Sequence, residues 1–504
     1  MAYLLGIDAG TTSLKAAIFR EDGTLAASDV EDYVLLTPEA NQVEFPAEGY
    51  WEHLCRLTKR LLREAGTAPE EILSLAISSQ GETLICLDEE GKPLRPAIVW
   101  LDNRSGQEAA EMEARFGLED IYQRTGQPEC VSTWTATKIA WLRRNEPQVY
   151  EKTAKFLLLE DYLLYRLTGK YVCEENLLAS SLLYDINRRC WWKEMLEYLG
   201  IGEERLPQVL PCGTLVGRVT KQAAEETGLS EKILAATGAL DQTCGIVGTG
   251  RIAPGEVTET TGSCLAVCAN VEQFIPYSRE RRITCQNHAV PGRYVVLLWS
   301  QTAGMVLKWY VKEFYQEDKA EGAEGFAMAD KEAAMVNPGC DGLVMLPHLS
   351  GASNPEYNSK AKGVFYGVTL KTGRPHFSRA ILESVAFMLR RNLEQIEELG
   401  QPVHVIYSMG GGSKSPIWNQ IKADVTGKMV ETLNTRDSAC LGAAVLGAVA
   451  AGLYPDVDSA AAGLVRPGER FAPCPQNRAV YDQNYKNYLD LYDALEPLFA
   501  RYSL

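Results

Sequence analysis

The sequence predicts an α/β protein of two domains, and three observations carry that expectation. Short apolar runs alternate with helix-period segments along the whole chain. The 504 residues exceed what one hydrophobic core supports, so two domains of roughly 200 to 250 residues each are expected. The opening pattern of strand, polar turn and strand in "GIDAGTTSLKAAIF" (6–19) is partly echoed in "EVTETTGSCLAVCA" (256–269), near the start of each half. The glycine-rich stretch "GIVGTGRIAPG" (245–255) marks the division, giving domains 1–248 and 249–504.

Taken in chain order, Tyr3–Ile7 reads as a strand because it is short, apolar and closed by a glycine turn, and Leu14–Phe19 reads as its hairpin partner. Asp8 stands at the strand's end. Gly10 permits close backbone approach, and Thr11, Thr12 and Ser13 add hydroxyls to the N–H groups of the turn, making a concave site that suits phosphate. A carboxylate beside phosphate is repelled unless a cation stands between them, so Asp8 implies a divalent metal, Mg²⁺ first. An ordinary hairpin with a polar turn is the plain alternative. Further on, Asp241 in "ATGALDQTCGIVGTG" is either a helix cap or a base that accepts a hydroxyl proton during attack on a γ-phosphate.

In the second half, "SRAILESVAFMLRRNLEQIEELG" carries Ile381, Leu382, Val385, Leu389, Leu393 and Ile396 at helical spacing, with Ser378 as the expected cap and Gly400 as the end. The strand "VHVIYSM" leads into Gly410, Gly411 and Gly412. Ser415 and Pro416 then make a good N-cap and first turn for the next helix. A glycine turn opening a helix lets a ligand lie against backbone N–H groups, although a tight strand-to-helix connection has the same signature.

Composition narrows the functional classes. The formal charge of −16 speaks against nucleic-acid or membrane-surface binding, which need basic patches. Thirteen scattered cysteines without a CxxC pair suit reduced thiols in a reducing compartment. Five histidines, none in HExxH or HxxxH, give no zinc signature. With no uninterrupted apolar run of about 18 residues and no basic-then-apolar leader, the expectation is a cytoplasmic, soluble enzyme acting on a small molecule. Homodimerisation is compatible with all of this.

The order GIDAGTTS, LDQ, TTGS, GGGSKSPIW and ACLGAAVLGA resembles the FGGY family of carbohydrate kinases, within the actin/hexokinase-like ATPases. "TATKIAWLRRN" (135–145), "LLLEDYLLYRLTG" (157–169) and "GVFYGVTLKTGRPHFSRAILE" (363–383) carry the resemblance further, over about residues 3 to 455. It implies two ribonuclease-H-like domains flanking a deep cleft, with ATP on the second and sugar mainly on the first. It implies Mg²⁺ held at Asp8 through water, with Asp241 as catalytic base and second carboxylate facing the metal. Gly10, Thr11, Thr12 and Ser13, helped by Lys15, would hold phosphates. Gly262 and Ser263 would contact the β- and γ-phosphates with Gly304 beside them, and Gly411, Gly412 and Ser415 would flank adenosine.

The acceptor stretches "SSQGETLICLD" (78–88), "AIVWLDNRS" (97–105) and "STWTATK" (132–138) are a hybrid. Gly81 and Glu82 stand where xylulose kinases of the family carry Met-His and glycerol kinases Arg-Glu, so Glu82 and the Asp241–Gln242 pair look glycerol-kinase-like. Trp100, Asp102 and Arg104 in "WLDNR" instead resemble the pentulose-kinase pattern. Glu82, Asp102 and Gln242 suit hydroxyl recognition. Trp100 or Trp134 could wall the C–H faces of a sugar, or simply pack in the core. Gly81 in place of arginine is expected to enlarge the acceptor pocket. The expected substrate is a ketopentose such as xylulose. A glycerol- or tetritol-type polyol is the alternative, and an actin-fold sugar sensor or chaperone the non-enzymatic one.

Overall fold

The computed structural model describes residues 2–315, 322–434 and 437–501. Two mixed sheets share one topology. In the first, the strands lie in the order Leu215–Arg218, Leu234–Leu240, Ile72–Ser79, Tyr3–Ala9, Ser13–Arg20 and Leu25–Asp32. The last three form an antiparallel meander, Ile72–Ser79 and Leu234–Leu240 add in parallel, and Leu215–Arg218 closes the edge antiparallel. The second sheet repeats the plan with Tyr294–Ser300, Leu265–Val271 and Val257–Thr261 as the meander. Val405–Met409 and Met429–Leu433 are its parallel pair, Pro467–Phe471 is the antiparallel edge, and Thr284–Asn287 is an extra strand on the far side. The echo between residues 6–19 and 256–269 is thus the first hairpin of each sheet.

Helices cover the sheets where the sequence supplies an apolar stripe. Ala47–Ala65 buries Tyr50, Trp51, Leu54, Leu57, Leu61 and Leu62 at helical spacing and ends at Gly66 in the left-handed region. The long helix runs Arg374–Glu398 and is followed by Gly400 at φ +79°. Its N-cap lies five residues before the expected one. Gly373 is the N-cap, Pro375 fits the first turn, and Ser378 is inside the helix, its hydroxyl donating to the Arg374 carbonyl. Ser415 caps Pro416–Thr426 by accepting from the Trp418 N–H, as expected.

One helix joins the halves. Ser438–Ala450, buried along most of its length, lies between two strands of the second sheet in sequence yet packs on Tyr3–Ala9, Ile72–Ser79 and Leu234–Leu240 of the first. It also crosses Asp241–Val247 at backbone contact: a Cβ on Gly442 would lie 1.9 Å from the Cys244 carbonyl oxygen, and one on Gly6 would lie 1.8 Å from that of Cys440. Only glycine allows these approaches. Among the described residues no helix is long and apolar enough to cross a membrane.

Candidate active site

The first turn is built by register. Pairing of Tyr3–Ala9 with Ser13–Arg20 sets Asp8 opposite Lys15, and the parallel neighbour sets Ser78 beside it. Ser78 Oγ donates to Asp8 Oδ1 at 2.8 Å. Burial pushes the Asp8 carboxyl up, Lys15 and Ser78 oppose that, and the carboxylate of Asp437 adds to it. Gly10 N–H closes the turn on the Ser13 carbonyl at 3.0 Å, and the Tyr33 hydroxyl donates to the Gly10 carbonyl. Among the described residues the N–H groups of Thr11 and Thr12 take no backbone acceptor, which leaves donors available to an anion. Trp100 Nε1 donates to Thr11 Oγ1 at 2.9 Å, so this half-buried indole is tied to the first turn.

Asp241 is the first residue of Asp241–Val247, directly after the Leu234–Leu240 strand, with Leu240 as the cap. Its Oδ1 accepts from the Gln242 N–H at 2.6 Å. Burial first, then the charges of Asp8 and Glu82, push its carboxyl up to about 7, the Gln242 N–H opposing them. Three carboxylates at the ends of three neighbouring strands therefore interact, Asp241 feeling the charges of both Asp8 and Glu82. A carboxyl titrating near neutrality suits a general base.

The second half supplies a cavity of about 510 Å³ lined by Gly262, Ser263, Gly304, Lys308, Phe326, Asp330, Gly411, Gly412 and Ser415, within the range of small-ligand sites. Two of its glycines, Gly304 and Gly412, are required by contact. Gly304 N–H donates to the Gly262 carbonyl at 2.9 Å, and a Cβ on Gly304 would lie 2.4 Å from that oxygen. A Cβ on Gly412 would lie 2.7 Å from Thr261 Cβ. Behind the turn, Lys422 Nζ meets Glu259 at 2.6 Å with neither side chain exposed, and Thr261 Oγ1 donates to the same carboxylate at 2.7 Å. A larger depression of about 720 Å³, around Lys170, Arg189 and Trp191, shares no residue with this site.

On the acceptor side, Glu82 has φ +59°, and the Thr83 N–H donates to the Gly81 carbonyl at 2.7 Å. Glu82 is thus the central residue of a strained γ-turn, a conformation found where function holds a residue in place. Gly81 does not enlarge the pocket as expected: a Cβ there would lie 2.9 Å from Ser180 Oγ and 3.1 Å from Leu240 Cδ1, so neighbouring side chains already fill the space. Gln242 is half-buried beside Asp241. Asp102 has no exposed surface. Its oxygens accept from the N–H groups of Val43 (2.6 Å) and Arg104 (3.0 Å) and from the Arg104 guanidinium (2.8 Å), which also reaches Glu44 at 2.7 Å. Asp102 and Arg104 are therefore taken up by each other, Val43 and Glu44 in this conformation. Trp134, half-buried, donates from Nε1 to the Glu129 carbonyl at 2.8 Å and packs against a core cluster.

Sequence reasoning missed Ser78, Asp437 and Lys138 here. Ser78 lies in a quoted stretch, but its link to Asp8 depends on a strand pairing across 70 residues. Lys138 lies in "TATK", where a lysine flanked by buried helical positions was the available signal.

Among the described residues no group of three or more His, Cys, Asp or Glu side chains converges as a metal cage. Mg²⁺ needs none, since it binds through one or two carboxylates with water and phosphate oxygens. The hard oxygens of Asp8 and Asp241, close enough that the charge of Asp8 raises the Asp241 carboxyl, are a donor set that fits it.

Two sheets of one topology, a turn of glycine and hydroxyl residues at the first hairpin of each half, and a carboxylate where the halves meet are the architecture of the actin/hexokinase-like ATPase class. The model of the "FGGY family of carbohydrate kinases, N-terminal domain" matches residues 3–248, and that of its C-terminal domain matches residues 260–451. The chain belongs to the FGGY family of carbohydrate kinases. It is 28% identical over 494 residues to a xylulose kinase of Bacillus subtilis, covering 98% of this chain and 96% of that one. It is equally 28% identical over 511 residues to a gluconokinase of the same organism, covering 99% and 97%. The crystal structure of xylulose kinase from Rhodospirillum rubrum superposes with a TM-score of 0.87 at 29% identity, covering 99% of this chain and 100% of that one.

Proposed function

We propose that this protein transfers the γ-phosphoryl group of ATP to a hydroxyl of a ketopentose, xylulose or a related pentulose, with Mg²⁺ as cofactor. The observation that carries the reading is the Asp241 carboxylate at a strand end, within reach of the charges of both Asp8 at the first turn and Glu82 on the proposed acceptor side. Mg²⁺ at Asp8 would neutralise phosphate charge. Asp241 would take the proton of the attacking hydroxyl, Thr11, Thr12 and Gly262–Ser263 would cradle phosphates, and the cavity of Lys308 and Asp330 would take the nucleoside. Phosphoryl transfer asks for such alignment and charge neutralisation more than for covalent chemistry. Glu82 and Gln242 would bind acceptor hydroxyls, with Trp100 beside them. In this reading Asp102 and Arg104 act as braces, the break between the halves lies at 248/249, and the enzyme works in the cytoplasm.

The gluconokinase relatives raise a second reading, a sugar acid. The site disfavours it, because a substrate carboxylate would enter beside Glu82 and Asp241, and like charges at close range in a poorly solvated cleft repel. A polyol such as glycerol remains the alternative that Glu82 and Gln242 suit. Coupled ADP detection over xylulose, ribulose, gluconate, erythritol and glycerol decides among them. A pentulose is expected to exceed glycerol and gluconate in kcat/KM by at least about tenfold, or about 1.4 kcal/mol of differential transition-state binding, with EDTA abolishing turnover. Glycerol or gluconate as the best substrate overturns the choice.

A further inference from the structure

Lys138 lies on the helix Thr135–Asn145 and has no exposed surface. A buried ammonium needs both hydrogen-bond acceptors and counter-charge. Its Nζ donates to the carbonyl oxygen of Thr133 at 2.5 Å and to that of Glu82 at 3.1 Å. The first acceptor belongs to the loop before its own helix. The second is the carbonyl of the residue at the centre of the γ-turn, 56 positions earlier in the chain. One cation therefore ties together two of the three acceptor segments.

Its electrostatic surroundings are equally specific. Burial pushes the Lys138 ammonium down, while the carboxylates of Glu82 and Asp102 hold it charged and Arg104 opposes them. Burial pushes the Glu82 carboxyl up, while the Ser180 hydroxyl and Lys138 oppose that, and the charge of Glu82 is felt in turn by Asp241. Asp102 already accepts from Val43 and Arg104. That leaves Glu82 as the carboxylate that Lys138 serves. Because Gly81 is hemmed in by Ser180 and Leu240, the turn has little room to relax elsewhere, and the latch on its central carbonyl fixes where the Glu82 side chain points.

We infer that Lys138 is a positioning residue for acceptor binding: its ammonium latches the strained turn at Glu82 to the loop at Thr133 and supplies the counter-charge that keeps Glu82 a hydroxyl acceptor. This rests on the acceptor role of Glu82 proposed above. The lysine touches no substrate and acts through Glu82 alone, so its loss is felt in sugar affinity and not in nucleotide affinity.

The test is a double-mutant cycle of Lys138→Met and Glu82→Gln, read as KM for the best sugar, KM for ATP, kcat and melting temperature. Each single variant is expected to raise the sugar KM at least tenfold, with kcat falling less and KM for ATP within twofold of wild type. The double variant is expected to be no more than threefold worse than the worse single one, and to melt above Lys138→Met, because removing the Glu82 charge relieves the charge left unpaired. Losses that multiply, or an ATP KM that rises as far as the sugar KM, overturn the inference. If Glu82→Gln leaves the sugar KM unchanged while Lys138→Met raises it, the acceptor role of Glu82 is what fails. Should Lys138→Met not accumulate as folded protein, Lys138→Gln keeps an N–H donor without charge. A wild-type sugar KM in Lys138→Gln overturns the counter-charge role, and a tenfold rise supports it.

Discussion

At Asp241 the chemistry and the local structure make opposite demands. A carboxylate opening a helix is favoured by the N-terminal dipole, whereas burial and the charges of Asp8 and Glu82 push its proton affinity up to about 7. The second influence prevails, and the side chain is left suited to take a proton near neutral pH. Asp241→Asn keeps the shape and loses the base. It is expected to lower turnover by about 10²-fold or more while ATP affinity, measured by equilibrium titration, stays within a few-fold. Near wild-type turnover in the purified variant would reduce Asp241 to a helix-start residue. The places of Asp8 near a strand's end and of Asp241 at a helix start were legible in the sequence, because each acid closes an apolar run beside small residues. Asp102 was not, because the N–H that captures it belongs to Val43, 59 residues earlier, and composition is silent about such long-range pairing. Gly81 misled for a related reason: the space beside a glycine belongs to its neighbours in the fold, here Ser180 and Leu240.

At the scale of elements, short apolar runs closed by glycine-containing turns revealed the first hairpin of each half, and helical spacing revealed the core of Arg374–Glu398. The helix start was misplaced at Ser378 because a serine inside a helix and a serine at its cap look alike until its partners are known. The destination of Ser438–Ala450 was hidden more deeply. A segment buried along most of its length shows little amphipathic stripe, so nothing in "SACLGAAVLGAVA" says which sheet it will cover. Its glycines carry that information only as contact: the crossing with Asp241–Val247 works because Gly442 brings backbone against the Cys244 carbonyl. Gly442→Ala is expected to cost about 1–3 kcal/mol, the usual cost of overpacking, and to lower kcat as well, since the displaced helix carries Asp241. Gly106→Ala is the control: Gly106 opens a helix with nothing within 4 Å of its would-be Cβ. Chemical denaturation separates the two, and equal midpoints would remove the packing role given to Gly442.

Across the whole molecule, burial leaves a population of carboxyls with raised proton affinity away from the cleft. Burial and neighbouring acids raise Glu160 well above its usual range, and burial raises Asp161 to about 7 and Glu356 to about 7, and Glu174 to about 8. The native state therefore binds more protons than the unfolded chain between about pH 4.5 and 8, so stability rises as pH falls through that window. His288 and His348, held neutral by burial with pKa values lowered to about 3 and about 4, act the other way, but only below the ordinary histidine value of 6.5. Between pH 8.0 and 6.5 the carboxyls outnumber the groups that oppose them, chiefly the buried Lys138 ammonium lowered to about 7, and the melting temperature in scanning fluorimetry is expected to be higher at pH 6.5 than at pH 8.0. A higher value at pH 8.0 would contradict the linkage. The shared topology of the two sheets suggests halves that could each stand alone, yet Leu4, Phe19, Ala76 and Ala236 share their core cluster with Leu441, Val445 and Leu446. During synthesis, strands that leave the ribosome first wait for a cover encoded more than four hundred residues later, a delay on the order of 20 to 90 seconds at ordinary elongation rates. The nascent amino-terminal half thus exposes an apolar sheet face throughout that interval. It should need chaperone protection until the last hundred residues emerge, and a chain truncated before residue 438 should aggregate instead of yielding a free-standing first domain.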